Sequence, residues 1–525
     1  MSRRFTLAAA VLAATLAAAP AEARRGQVEL ISATPAGQPA DGYSFDATPS
    51  RDGRFISFSS FADNLSDRDD DTSASVFVKD MRTGELTLVN RAADGGVANG
   101  PANNGSISAD GRRVAFASFA SNMTTPDGYG WDVFVGDMDT GRISLVSRQA
   151  GSGDGGNRPA TSPEISADGR FVAFSSNATN LSPDQTDETV SAVYVRDLVT
   201  GELTLASRAD SEAVANGGSR PMGLSADGRR LAFVSSATNL DPADTDATQD
   251  VYVRDLASGE TTLISDDPRR ADSRGESDWA DISDDGRHVV FHSGQVGLSD
   301  EDDDGSVQVY VRDLETGATT LASGFGPSDP PLDGHGDMKY PAIAGDGQAV
   351  AFSSMDRHAV VTWNRVTRKK EIVADGALGA EISGDHRYAL YGTGDLLWRR
   401  DMTGGSPFCL DVIQRVTPPL PAFVTLPCLD EDGDPFSRLV VAPPAHGLLG
   451  PIDQHTGAVL YTPLPGFVGE DTFVFAGTGA DGQGRSATAR LVVDSPELPP
   501  LPPVTPPAVP PVPAPLRCAD PLVGT

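Results

Sequence analysis

Basic residues are few in this chain. Lys and Arg number 41 against 73 Asp and Glu, which leaves a net charge of −32 over 525 residues. So acidic a balance argues against nucleic acid or an anionic membrane surface as a partner, since both reward basic patches. The partners it favours are cations, basic proteins and neutral polymers. No internal apolar run reaches the ~20 residues that a spanning helix needs, so no membrane insertion is expected. Catalytic signatures are also missing: there is no G-x-S-x-G elbow, no H-E-x-x-H pair and no glycine-rich phosphate loop. His288 and His292 stand four apart on a predicted strand and share a face, but with no third partner they read as packing residues rather than ligands. Neither a catalytic residue nor an organic cofactor is expected.

What the chain has in quantity is turn chemistry, with 55 Gly and 39 Pro, a composition that favours many turns and little helix. It also repeats itself. Ser225-Ala-Asp-Gly-Arg-Arg-Leu-Ala-Phe233 returns as Ser108-Ala-Asp-Gly-Arg-Arg-Val-Ala-Phe116 and Ser166-Ala-Asp-Gly-Arg-Phe-Val-Ala-Phe174. Looser copies place the aspartate at Asp52, Asp285, Asp346 and Asp385, and the successive steps are 58, 58, 59, 58, 61 and 39 residues. Such a period is the mark of a repeat architecture.

Each copy reads as four strands. A short run ends at the Asp-Gly, whose glycine supplies the positive φ of a hairpin turn, and an apolar run follows at once. A variable segment leads to a third run such as Val193-Tyr-Val-Arg-Asp197, then a tight Thr-Gly turn, then a fourth run such as Leu203-Thr-Leu-Ala-Ser207. Four antiparallel strands per unit, set radially, describe a β-propeller blade. The aspartates recur because the turn requires them, so their repetition carries no catalytic meaning.

The ends of the array predict how it closes. Gly26-Gln-Val-Glu-Leu-Ile-Ser32 matches a fourth strand, and Ser32 precedes Asp52 by the 20 residues that separate Ser207 from Asp227. The last copy has runs at Arg387–Tyr391 and Leu396–Asp401 and lacks a fourth strand of its own. The first strand is therefore expected to complete the last blade beside Leu396–Arg399, leaving no open edge.

On these residues the repeat resembles the WD40-like propeller repeat of the TolB type over residues 26–405. The resemblance implies an all-β fold, a seven-bladed β-propeller with six blades as the alternative. The α/β domain ahead of the TolB propeller has no counterpart before the first repeat. Strand alternation sends the two short turns to one face and the two long connections to the other, where variable loops on rigid strands would meet a ligand.

Those long connections are acidic in a pattern. Carboxylates fall at alternate positions at Asp67, Asp69 and Asp71, at Asp244 and Asp246, and at Asp300, Asp302 and Asp304 before Gly305. Asp-x-Asp-x-Asp-Gly copies the opening half of a calcium loop and makes Ca²⁺ the candidate ion, although the closing Glu of an EF-hand is replaced by Val311. The alternative is a solvated acidic hairpin tip.

Three further segments flank the propeller. Arg3 and Arg4, an Ala/Leu-rich stretch and Ala21-Glu-Ala23 read as a signal peptide over residues 1–23, so the protein is expected to be secreted or periplasmic. Pro444-Ala-His-Gly447 and Tyr461-Thr-Pro-Leu-Pro-Gly-Phe-Val-Gly-Glu-Asp-Thr-Phe473 resemble bacterial Ig-like, cadherin-like domains over residues 408–494. That resemblance implies a small β-sandwich used as a spacer or adhesive module. In that family an Asp-x-Asp-Gly-Asp cluster such as Asp430–Asp434 can bind calcium, and a plain turn is the alternative. Residues 495–525 form a proline-rich tail, extended and without a core.

In an oxidising compartment Cys409 and Cys428, which flank the start of the sandwich, are expected to pair and leave Cys518 over. Closing that loop stabilises by about 3 kcal/mol on the chain-entropy model. Taken together, the chain is expected to be a monomeric, non-enzymatic binding or scaffold protein whose partner is a protein or cell-envelope glycan. The alternative is a hydrolase or lyase working on polysaccharide or peptide at the long-loop face.

Overall fold

The computed structural model describes residues 28–494 apart from 68–72, 125–129, 152, 245–246, 266–275, 296, 300–305, 325–336, 403–406, 418–419, 430–435, 480–481 and 484–485. Residues 1–23, read above as a signal peptide, Asp430–Asp434, the proline-rich tail and Cys518 lie outside the described residues. The chain divides into two compact units, at residues 404 and 405. Among the described residues the only helix is one 3₁₀ turn, Asp63–Leu65.

Among the described residues the first unit contains seven four-stranded antiparallel sheets, numbered 1 to 7 by their first strands Ser44–Pro49, Ala102–Ile107, Ala160–Ile165, Ser219–Leu224, Trp279–Ile282, Met338–Ile343 and Leu378–Ile382. Sheet 3 shows why the repeat folds as it does. Its strands are Ala160–Ile165, Phe171–Ser176, Ala192–Asp197 and Leu203–Leu205, paired in chain order. The second and third strands are buried nearly throughout because another sheet covers each face. Phe174 stacks on Tyr194 at 5.6 Å between ring centres, and the same pair recurs as Phe58–Phe77, Phe116–Phe134, Phe233–Tyr252 and Phe291–Tyr310.

The recurring aspartates are turn residues. The Ser166 hydroxyl donates to Asp168 at 2.5 Å, and Asp168 in turn accepts the Arg170 amide at 2.9 Å. Sheets 1, 2, 4, 5 and 7 repeat this geometry at Asp52, Asp110, Asp227, Asp285 and Asp385. The arginine after the glycine then grips the end of the third strand, with Arg170 Nε and Nη2 at 3.1 and 2.6 Å from the two oxygens of Asp197. Arg54–Asp80 and Arg287–Asp313 repeat the grip. A bidentate pair of this kind is stiffer than an ordinary surface ion pair.

The last sheet is shared between the two ends of the unit. Val28–Leu30 pairs antiparallel with Leu396–Asp401, with Glu29 opposite Arg399 and ion-paired to it. Ser32 accepts the Leu397 amide at 3.0 Å, the role Ser207 plays for Val193 within its own sheet. First strands of consecutive sheets touch around the unit, and Leu378–Ile382 touches Ser44–Pro49 to finish the circuit.

The second unit is a β-sandwich. One sheet orders Val412–Val416, Ala487–Val493, Gly469–Gly479 and Ser437–Ala442; the other orders Ala422–Thr425, Ala458–Pro463 and Gly447–Ile452. Tyr461 and Asp471, ten residues apart in the aromatic and glycine pattern, meet inside it. The Tyr461 hydroxyl donates to Asp471 at 2.8 Å, and Asp471 also accepts the amides of Ala445 and His446, both at 3.0 Å. Gly447 is required because a Cβ there would lie 2.0 Å from the Tyr461 ring. Cys409 and Cys428 are joined by a disulfide.

Candidate functional site

The seven first strands line a central channel, and they break the regularity of the other strands. In six of them the pairing register slips, and at five of these slips the backbone turns left-handed. The left-handed residues are Asp46 (φ 51°), Asn104 (54°), Ser162 (52°), Tyr340 (55°) and Gly379 (74°). Left-handed backbone is uncommon outside glycine, and an aromatic residue there is an outlier that its surroundings must hold in place. Bulges re-aim side chains, and Asp46, Asn104 and Tyr340 line a cavity of about 740 Å³ on the long-loop side of the channel.

Aromatic rings rim that cavity. Tyr43, Phe45 and Phe61 form a stack with centres 5.4 and 5.5 Å apart, and Trp279 meets Tyr340 edge-on at 5.4 Å. Tyr43 is 50% exposed and Phe61 45%, unusual for rings that could have joined a core. Arg220 lies over Trp279, 5.5 Å from the ring centre, and donates to the Asp278 carbonyl at 3.2 Å.

Carboxylates gather deeper in. The penultimate residues of six first strands line the channel, and three of these are Glu164, Asp281 and Glu381, on sheets 3, 5 and 7. Each is half-buried, with protein around it and the channel in front. Glu164 accepts the Ser106 hydroxyl at 3.1 Å, and Asp281 accepts the amides of Ile282 and Ile343 at 2.7 and 3.0 Å. Desolvation pushes Glu164 up to about 8, with the Asp281 charge adding to it, and desolvation, opposed by the amides of Ile343 and Ile282 and aided by the Asp284 charge, lifts Asp281 to about 7. Glu381 is raised well above its ordinary value by desolvation and then by the charges of Asp281, Glu164 and Asp46, and Asp46 is raised by desolvation. No hydrogen bond or ion pair holds the Glu381 carboxylate among the described residues.

The opposite mouth is built differently. There the Asp-Gly turns meet in a collar of backbone hydrogen bonds, Arg51 to Ala109 (3.1 Å), Ala109 to Ala167 (2.9 Å), Asp168 to Ala226 (3.1 Å), Ala226 to Asp284 (2.8 Å), Asp284 to Gly345 (2.9 Å) and Asp385 to Arg51 (2.9 Å). The residue before each turn aspartate is Arg51, Ala109, Ala167, Ala226, Asp284, Gly345 or Gly384. The two charged ones, on sheets three junctions apart, form an ion pair at 3.1 Å across the opening. The glycines make room for them: a Cβ at Gly345 would lie 2.3 Å from an Asp284 oxygen, and one at Gly384 3.0 Å from Arg51 Cγ. The space left inside the collar is about 160 Å³.

The sequence-predicted acids are elsewhere. Asp67 is exposed on a long connection. Asp244 is buried and accepts the Tyr252 hydroxyl at 2.6 Å, anchoring its connection to the sheet core. Asp69, Asp71, Asp246, Asp300, Asp302 and Asp304 lie outside the described residues. No group of three His, Cys, Asp or Glu side chains converges on a metal position among the described residues.

His288 and His292 do not converge either. His288 packs under Gly347 near the short turns, while His292 bonds Asp278 through Nε2 and accepts the Tyr340 amide on Nδ1 at 3.3 Å. Both His292 nitrogens are thus engaged within the protein. The channel carboxylates escape a reading of turns and loops. Their signal is an acid in the penultimate column of the repeat, as in Pro163-Glu-Ile165, Ala280-Asp-Ile282 and Ala380-Glu-Ile382.

Residues 414–494 match the family described as Bacterial Ig domain. No curated protein matches the chain in sequence. Similar solved structures include a putative TolB from Agrobacterium tumefaciens (17% identity, 63% of this chain and 98% of that one, TM-score 0.37). The Cps50 (Swd1) β-propeller domain of Myceliophteria thermophila is another (14%, 72% and 100%, TM-score 0.41). The acylaminoacyl peptidase of Pyrococcus horikoshii is a third (12%, 86% and 66%, TM-score 0.42). At such identities and TM-scores the propeller assignment rests on the sheet topology and not on them.

Proposed function

We propose that this is an extracytoplasmic binding and scaffold protein that engages a protein or cell-envelope glycan at the long-loop mouth of the propeller channel, with the Ig-like domain as spacer or adhesive module. The observation that carries it is the cavity of about 740 Å³ with exposed, stacked rings at its rim. Large rigid aromatic surface left in water at the mouth of a cavity is what a binding site offers. A bacterial Ig domain in the same chain supports a place outside the cytoplasm. Calcium held by Asp300, Asp302 and Asp304 remains part of the proposal.

A second reading has its own support. Glu164, raised to about 8 inside a cavity, has the character of a general acid, so a hydrolase or lyase acting in the channel is the rival. One experiment addresses both. A photo-crosslinking residue at Phe61 on the long-loop mouth is compared with one at Val199 on a short turn, in the full exported chain exposed to envelope extract. Adducts from Phe61 alone are expected, and equal adducts from both positions overturn the site. Turnover of a peptide or polysaccharide panel, lost in Glu164→Gln, would establish the rival.

A further inference from the structure

We propose that the channel receives a primary alkylammonium group, which passes the aromatic mouth and stops among Glu164, Asp281 and Glu381, above the Arg51–Asp284 bridge. The inference rests on the reading of the long-loop mouth as the binding site and adds the chemistry of what enters it.

Four observations lead there. The first is Glu381, a carboxylate enclosed by protein and facing the channel, whose charged neighbours in the ring, Asp281, Glu164 and Asp46, are all of its own sign. Buried charge persists when it is paired, and here no partner comes from the described residues. The second is the placement of the acids on sheets 3, 5 and 7, spread around the axis rather than side by side. A compact –NH₃⁺ has three donors pointing apart, which suits three separated acceptors, whereas a planar guanidinium suits one carboxylate gripped by its fork.

The third is the wall. Rings at the mouth suit a methylene stem and attract a cation passing over their faces. The fourth is that the protein already satisfies the other end of the channel in this way. Arg51 reaches in from the short-turn side and meets Asp284, so one long cationic side chain neutralises one acid of the lumen, while no such partner meets Glu381 among the described residues.

Arg220 is a cation near the open mouth. Its guanidinium is committed to the Trp279 face and the Asp278 carbonyl, and it draws Glu164 down only partly. It narrows selection by turning away ligands with a second charge close to the first. Protons compete with the ligand for the carboxylates. With Glu164 at about 8 and Asp281 at about 7, uptake of an ammonium should release protons and strengthen as pH rises through that range.

The test is calorimetry on the full chain in physiological salt. The probes are n-pentylamine and Nα-acetyl-lysine amide, with n-pentanol as the neutral isostere. Both amines should bind at least tenfold more tightly than the alcohol, and about tenfold more tightly at pH 8.5 than at pH 6. Glu381→Gln and, separately, Glu164→Gln should each weaken the amines tenfold or more, with Glu202→Gln on an exposed short turn as an unaffected surface control. Binding of pentylamine alone would point to a free amine as the ligand, and binding of both to a peptide-borne lysine. Equal binding of pentanol, or full amine binding in Glu381→Gln, overturns the inference. Phe61 crosslinking that survives excess pentylamine also overturns it while leaving the proposed site standing. Loss of mouth-specific crosslinking removes the site itself.

Discussion

The two mouths of one channel are made by opposite rules. On the short-turn side the repeat is followed closely, each turn is hydrogen-bonded to the next, and the two charged departures from the pattern neutralise each other. On the long-loop side the repeat is abandoned: rings stack in the open, backbone is left-handed, and Glu381 is left without a cation among the described residues. Where copies agree they report on folding. Where they differ at one column, they report on what the lumen holds. The concentration of costly features at one end, in a unit regular elsewhere, is the pattern expected of a functional site.

The strongest way to break this contrast is to open the ring. Deleting residues 24–34 removes the strand beside Leu396–Asp401 and exposes that edge, so cooperative melting should be lost or aggregation appear. An unchanged melt would show that the clasp is dispensable.

Next in size is a turn of the collar face. Gly228 has φ 66°, and a Cβ there would lie 2.1 Å from the Phe171 ring. Gly228→Ala should cost about 3 kcal/mol, strain and overpacking together, in a denaturant melt. Phe61→Ala at the open mouth should change the melt by less than about 0.5 kcal/mol, since a half-exposed ring holds little of the fold. Comparable losses from both would erase the distinction between the mouths.

A smaller effect of opposite sign belongs to the lumen. A carboxyl whose pKa rises on folding binds its proton more tightly in the native state. It therefore favours the fold below the unfolded value near 4.5, and that contribution is lost as pH rises toward about 8. Glu381→Gln or Glu164→Gln should raise the melting temperature by about 2 °C at pH 8 and leave it unchanged near pH 4. A lower melting temperature at pH 8 would mean that the acids are structural.

The smallest effect concerns the acidic connections. Millimolar calcium should raise the melting temperature slightly, by about 1 °C if the Kd is roughly 10⁻³ M, and Asp302→Ala with Asp304→Ala should abolish the rise. No shift in the wild type would leave those loops as solvated acid.

The propeller was legible because a blade is specified locally. Ser166, Asp168, Arg170 and Asp197 make a turn and its brace within about thirty residues, and Ser32 stands at the same offset from its turn as Ser207 does. The sandwich was legible for a similar reason, since Tyr461 and Asp471 lie ten residues apart. The lumen was not. Glu164, Asp281 and Glu381 are more than a hundred residues from one another's neighbourhood in the case of the first pair, and a hundred in the second, and only closure of the ring brings them round one axis. Each alone reads as a polar residue at the end of a strand. The acids of the long connections stand out because they lie close together in sequence, and such closeness says little about what converges in space.

The clasp also sets a timetable. Glu29 and Arg399, partners across the last sheet, are 370 residues apart. At ~5–20 residues per second, the strand made first waits tens of seconds for the strand it must join. Until then the nascent unit has two unpaired ends and no route to completion, however many blades have formed between them. Synthesis therefore runs from one end to the other, but the finished ring arrives all at once.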